Sequence, residues 1–106
     1  MIRVIGFYRW KEGAVFDHEY YNSGHMTLTK ELLMSHGLIR LESDRYISEK
    51  TPIEGEIIAA SNAYFDDLLT AQTAMANAGA ALMKDVPKYT TLVPEIRITN
   101  VNSHAL

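Results

Sequence analysis

Four β-patterned segments and two helical ones, in the order β-α-β-β-α-β, predict an α+β fold for this 106-residue chain. Ile2 to Trp10 and Ile57 to Phe65 are runs of β-branched and aromatic residues, the composition of sheet. Asp17 to His36 and the stretch between Asp67 and Pro87 carry apolar residues at helical spacing, each opened by aspartate and closed by glycine or proline. This is the split β-α-β plan of ferredoxin-like folds, with a four-stranded antiparallel sheet and both helices on one face. The whole chain, 1–106, reads as one such domain, with 100–106 as a mobile tail.

The elements follow in order. Strand 1 spans Ile2 to Trp10, and Lys11-Glu12-Gly13 is the turn after it. Asp17 is the expected N-cap of helix 1, with Glu19 where negative charge suits the helix dipole, and Gly37 stops it after His36. Strand 2 is expected over Leu38 to Ile47. The loop Ser48 to Gly55 holds Pro52 and is the expected flexible segment. Strand 3 is Ile57 to Phe65. Asp66 or Asp67 caps helix 2, with an apolar stripe of Leu68, Ala71, Met75, Gly79 and Leu82. Its many alanines suit close approach to a sheet, and Pro87 marks its end. Strand 4 is Thr90 to Thr99, where Pro94 implies an edge or a bulge.

Strands 1 and 3 are apolar on both faces, unlike strands of a half-solvated sheet. The simplest cover for the second face is the same sheet of another copy, so a homodimer closing a barrel-like interface is expected. A net charge of -3, without a basic cluster, argues against a nucleic-acid partner. The absence of cysteine removes disulfides, thiolate catalysis and cysteine metal sites. No apolar run reaches a membrane span, and the chain opens directly in a strand pattern without a leader, so a cytoplasmic, membrane-free protein is expected.

The chemistry gathers in Phe16 to Leu28. Wound as an α-helix, Tyr21, Leu28 and Leu32 lie on one side of an apolar arc, Met26 and Leu33 on the other, and His25 near its middle. Histidine titrates near neutral pH, so His25 is either a general acid/base or a core histidine satisfied by a backbone carbonyl. Asp85, at the end of helix 2, is either its orienting carboxylate or a solvated turn residue beside Lys84. Tyr8, Tyr21, Tyr64 and Tyr89 offer phenols that can orient a carbonyl or enolate, or simply pack. With Trp10, Met26 and Phe65 they suit a flat apolar or aromatic ligand, and Asn62 with Ser61 can add a polar contact. No metal is expected, since His18, His25 and His36 are too far apart along the helix to share a site. Nor is a cofactor expected, because no phosphate-cradling loop or dinucleotide fingerprint appears.

F-D-H-E-Y-Y at Phe16 to Tyr21, H-M at His25-Met26 and D-V-P-K-Y-T at Asp85 to Thr90 resemble the EthD family of dimeric α+β barrel proteins. That family shows F-D-x-x-Y-Y, then N-T-H-M-P-L, then D-I-P-N-Y-T, at similar spacing. This chain departs at Ser23, Gly24, Thr27 and Lys88. The resemblance implies a cytoplasmic homodimer. Its founding members accompany bacterial degradation of ethyl tert-butyl ether. Relatives of the broader fold include cofactor-independent monooxygenases, isomerases and cyclases. A cofactor-free enzyme acting on an apolar or aromatic carbonyl compound is therefore the first expectation. His25 would be its acid/base and Asp85 and Tyr89 its supports, with Tyr21, Met26, Tyr8, Tyr64 and Asn62 lining the substrate site. A non-catalytic dimer that binds a small ligand or effector is the second.

Overall fold

A computed structural model describes all residues, 1–106. The strands are β1 (Ile2–Arg9), β2 (Arg40–Arg45), β3 (Ile57–Phe65) and β4 (Glu95–Asn100), in the sheet order β2-β3-β1-β4, every pair antiparallel. The first helical layer is composite. A single turn α1 (His18–Tyr20) leads into a π-helical turn (Tyr21–His25), then α2 (Met26–Leu33) and a 3-10 turn (Met34–His36). The second is α3 (Leu68–Asp85), tightening into a 3-10 turn over Val86–Lys88.

The local signals do their expected work. Asp17 accepts a bond from the Tyr20 amide and Asp67 one from the Thr70 amide, so Asp67 rather than Asp66 caps the second helix. Gly37 adopts φ 89°, the left-handed geometry that ends a helix without a Cβ penalty. β3 has the expected bounds. β1 ends at Arg9 rather than Trp10, although the Trp10 amide still bonds the Glu56 carbonyl. β2 is shorter than Leu38 to Ile47. β4 begins after Pro94, not at Thr90, because proline brings no amide to the ladder; Thr90 instead bridges Phe16. Asn100 closes β4, and the Val101 amide bonds the Met1 carbonyl.

Phe65, Val4 and Ala63 meet Leu33, Ala71, Ala74 and Ala78 in one half of the core. Tyr8, Tyr21, Ala59, Val86, Tyr89 and Leu92 form the other. The expected stripe on α3 is corrected in part: its buried line is Ala71, Ala74, Ala78 and Asp85, while Leu68 is exposed. Along the first layer the buried residues are Tyr21, His25, Thr29 and Leu33; Met26, Leu28 and Leu32 of the expected arc are half-buried beside them, and Thr29 is the addition.

The fold measures 38 × 37 × 19 Å, the thickness of one sheet plus one layer of helices, so no second layer of helix or sheet lies on the other sheet face, which only its own side chains cover. The alternation from Tyr8↔Ala59 puts Ile5, Phe7, Ala60, Asn62 and Tyr64 on that face. It is not apolar throughout. Arg3 and Arg9 flank its centre on β1, and charged residues of β2 and β4 rim it. Arg40 lies over the Tyr64 ring, Arg9 and Arg97 over Phe7, and Arg9 pairs with Glu95 at 2.8 Å. No helix is long and apolar enough to cross a membrane.

Candidate active site

The site begins with a glycine. A Cβ on Gly24 would lie 2.5 Å from Cε2 of Tyr20, so only glycine lets the Tyr20 ring lie across the π turn. From there the Tyr20 hydroxyl donates to both carboxylate oxygens of Asp85, at 3.1 and 3.3 Å. The same wide turn brings Tyr21 and His25 onto one side of the helix, their rings stacked with centroids 5.6 Å apart. The Asp17 amide bonds the Tyr89 carbonyl at 2.7 Å, which pins the segment after α3 against the start of the first helix. Tyr89 thereby packs 4.7 Å from the His25 ring.

His25 and Asp85, 60 residues apart, meet through His25 Nδ1 and Asp85 Oδ2 at 2.9 Å. Both are buried, at 6% and 5% exposure. Asp85 also takes the Lys88 ammonium at 3.3 Å. Burial pushes the Asp85 carboxyl up, but the bonds from His25, Lys88 and Tyr20 outweigh it and hold the carboxyl below its ordinary value. In a neutral imidazole, a carboxylate there places the proton on Nδ1 and leaves Nε2 as the acceptor. The bond from Thr29 Oγ1 to the His25 carbonyl, at 2.7 Å, holds the backbone behind the ring.

His25, Tyr8, Thr29, Ser61 and Gly6 line a cavity of about 170 Å³ between the helices and the sheet; Val4, Leu33, Leu41, Ala63, Met75 and Leu82 make the rest apolar. The Tyr8 and Tyr89 hydroxyls bond each other. Burial pushes the Tyr8 phenol up to about 12, with the Tyr89 bond opposing it. Burial and then the bond to Tyr8 push Tyr89 up as well. Either hydroxyl can donate in that bond; with Tyr89 as the donor, the Tyr8 O–H is left for a ligand oxygen. Tyr21's phenol is raised by burial, with Ser61 opposing. Its hydroxyl finds no bond of good geometry.

Of the expected site residues, His25, Asp85, Tyr89, Tyr21 and Tyr8 come together, and Met26 packs at the edge of their cluster. Asn62 and Tyr64 do not join them. They lie on the opposite face of the sheet, where Asn62 donates to Asp44 at 2.8 Å and Tyr64 to Glu42 at 2.9 Å. Asp85 is buried and hydrogen-bonded to His25, not a solvated turn residue. Tyr20 and Thr29 escaped the sequence reading. The Tyr20–Gly24 spacing of four was the available signal for the first. No three His, Cys, Asp or Glu side chains converge on a metal position.

No family model and no curated protein matches the chain. Among solved structures it is similar to an EthD-like protein from Ralstonia eutropha JMP134, with a TM-score of 0.81 and 26% identity over 98% of this chain and 94% of that one. An ethyl tert-butyl ether (EthD) family protein from Bacillus halodurans C-125 shares the fold, with a TM-score of 0.64 and 23% identity over 96% and 99% of the two chains. With its ferredoxin-like sheet and helices matched over nearly their whole length, the chain is similar in structure to these EthD-type proteins.

Proposed function

We propose that this protein is a small homodimeric enzyme, working without a cofactor, that moves a proton on an apolar or aromatic carbonyl compound, with His25 as acid/base. The observation that carries this is the His25–Asp85 pair at 2.9 Å on the wall of a mostly apolar cavity. A carboxylate behind one imidazole nitrogen leaves the other poised to accept a proton and return it. The Tyr8 O–H supplies a donor for the carbonyl oxygen as charge develops on it. A volume of about 170 Å³ suits a single ring or a short branched ketone, close to the roughly 150 Å³ cavity that accepts benzene. The uncovered sheet face supports the dimer. Arg3 Nε and Thr99 Oγ1, neighbours across β1 and β4 on that face, are buried without a hydrogen-bond partner, which a second sheet could supply.

The test is exchange of α-protons for deuterium in a panel of small ketones and aryl ketones in D2O, read by proton NMR. Catalysed exchange is expected from the native protein and none from His25→Ala, whose melting temperature stays within a few degrees. Exchange that persists in His25→Ala sinks the assignment. A non-catalytic binding dimer is the second reading. It is favoured by the fact that Asp85 is already fully engaged within the fold, as a purely structural carboxylate would be. Saturable binding of the same ketones without exchange would establish it.

A further inference from the structure

A second concavity, apart from the His25 cavity, opens where β1 and β2 end. It measures about 910 Å³, within the size range of small-molecule sites. Trp10, Phe16 and Ile58 supply its apolar wall, and His18, Arg45 and Lys50 its polar one. The aromatic wall is fixed in place. Trp10 is bonded to the base of the 46–56 loop through its amide to Glu56, at 2.7 Å, and its carbonyl to Gly55, at 2.8 Å. Phe16 is wedged against Tyr8, Tyr21 and Tyr89, with ring centroids 5.1 to 5.5 Å apart.

Two cations, Arg45 and Lys50, and one carboxylate, Glu56, line the groove. Neither Arg45 nor Lys50 takes part in an ion pair. The facing carboxylate, Glu56, is committed to the Ile53 amide at 2.9 Å. His18 packs tilted against Phe16, with ring centroids 4.6 Å apart. Burial, and then the Arg45 guanidinium, push the imidazole below its ordinary value, with Asp17 opposing; both groups line the groove. An aromatic wall beside a free guanidinium and an imidazole matches one chemistry: a flat ring carrying an anionic, planar headgroup. We propose that this groove binds a planar aromatic carboxylate, its ring against Trp10 and Phe16 and its carboxylate on Arg45 and His18.

Phe16 lines the groove and also makes edge contacts with Tyr8 and Tyr89. A ligand there therefore sits one ring away from the His25 cavity without entering it.

Trp10 is the chain's one tryptophan, so its indole N–H gives a single resonance that reports the groove directly. Titration of the full-length protein with benzoate, followed at that resonance, is expected to give saturable shifts. Benzamide, with the same shape and no charge, should bind at least tenfold more weakly. Arg45→Met should weaken benzoate about 10- to 100-fold, the worth of a hydrogen bond to a charged group, and erase its preference over benzamide. His25→Ala should leave the benzoate curve unchanged, since the inner cavity is a different place. The proposal is overturned by no saturable shift, by equal binding of benzamide, or by an unaltered curve in Arg45→Met. It is equally overturned by a response lost in His25→Ala, which would put the ligand in the inner cavity, or by loss of the groove to a partner copy on dimerisation.

Discussion

Replacing Asp85 with asparagine keeps the shape and removes the charge on which the site is built. In the native protein the carboxylate accepts from His25 Nδ1 at 2.9 Å while only 5% exposed. A hydrogen bond to a charged group is worth about 1.5–3 kcal/mol and a neutral one about 0.5–1.5. Tyr20 and Lys88 both donate to Oδ1, so the asparagine keeps its carbonyl oxygen there and turns its amide toward the ring. That amide can bond the imidazole only after the ring moves its proton from Nδ1 to Nε2. The stability loss from this bond is therefore the difference, about 1–2 kcal/mol, or roughly 5–10 °C for a chain of this length. Lys88 adds little, because its side chain is 66% exposed and solvent screens it. The loss of activity is far larger, because Nε2 becomes a donor and no base faces the cavity. A fall of about 10²–10⁴ in proton exchange is expected, within the range such tautomer inversions give. The sign with pH is fixed by Asp85. Its carboxyl is lowered in the folded state, so its contribution is complete above the unfolded value near 4 and is lost as pH falls through the folded one. Urea unfolding of both proteins from pH 7 to pH 2 should therefore show a gap at neutrality that closes in acid. A gap of less than about 0.3 kcal/mol at pH 7, or one unchanged at pH 2, refutes the reasoning.

Gly24→Ala should destabilise by about 1–3 kcal/mol despite alanine's better helix propensity, because the new Cβ would stand 2.5 Å from the Tyr20 ring; denaturant midpoints measure it. Loss of the Tyr20–Asp85 bond in that variant, and in Tyr20→Phe, should move the acid limb of unfolding to higher pH, with the core otherwise intact. Phe65→Ala removes a ring that is 0% exposed at the centre of the core and should cost about 3–5 kcal/mol without altering the groove at Trp10. Tyr8, Tyr21 and Tyr89 all have raised phenols, so their contribution is complete below pH 10 and fails as pH climbs above it. Alkaline unfolding should begin there, and Tyr8→Phe should remove an ultraviolet ionisation step near pH 12. Light scattering at micromolar concentration should return twice the chain mass, and a monomer would remove the dimer from the account.

The sequence made the frame legible because the frame depends on local chemistry. The run Ile57 to Phe65 marks β3 to the residue, and Asp17, Asp67 and Gly37 sit where caps belong. His25 stood out because a titratable group on an apolar arc is rare. What escaped depends on contacts between distant segments. The π turn, with the Tyr20 ring lying where a Cβ on Gly24 would stand, does not show in an α-helical winding. Asp85 looks like an ordinary turn aspartate beside Lys84 until α3 packs it against His25. Asn62 and Tyr64 were put with the wrong partners because pairing register, not composition, decides a strand's faces. Once Tyr8 is opposite Ala59, even-numbered Asn62 and Tyr64 must point away from the helices.

The central claim is that Asp85 holds the neutral His25 ring with its proton on Nδ1 and a bare Nε2 toward the cavity. Long-range ¹H–¹⁵N correlation spectra of the imidazole read this directly. The account expects Nδ1 protonated and Nε2 bare in the native protein, with the two exchanged in Asp85→Asn. A native ring with its proton on Nε2, or one whose tautomer ignores the Asp85 substitution, would contradict it.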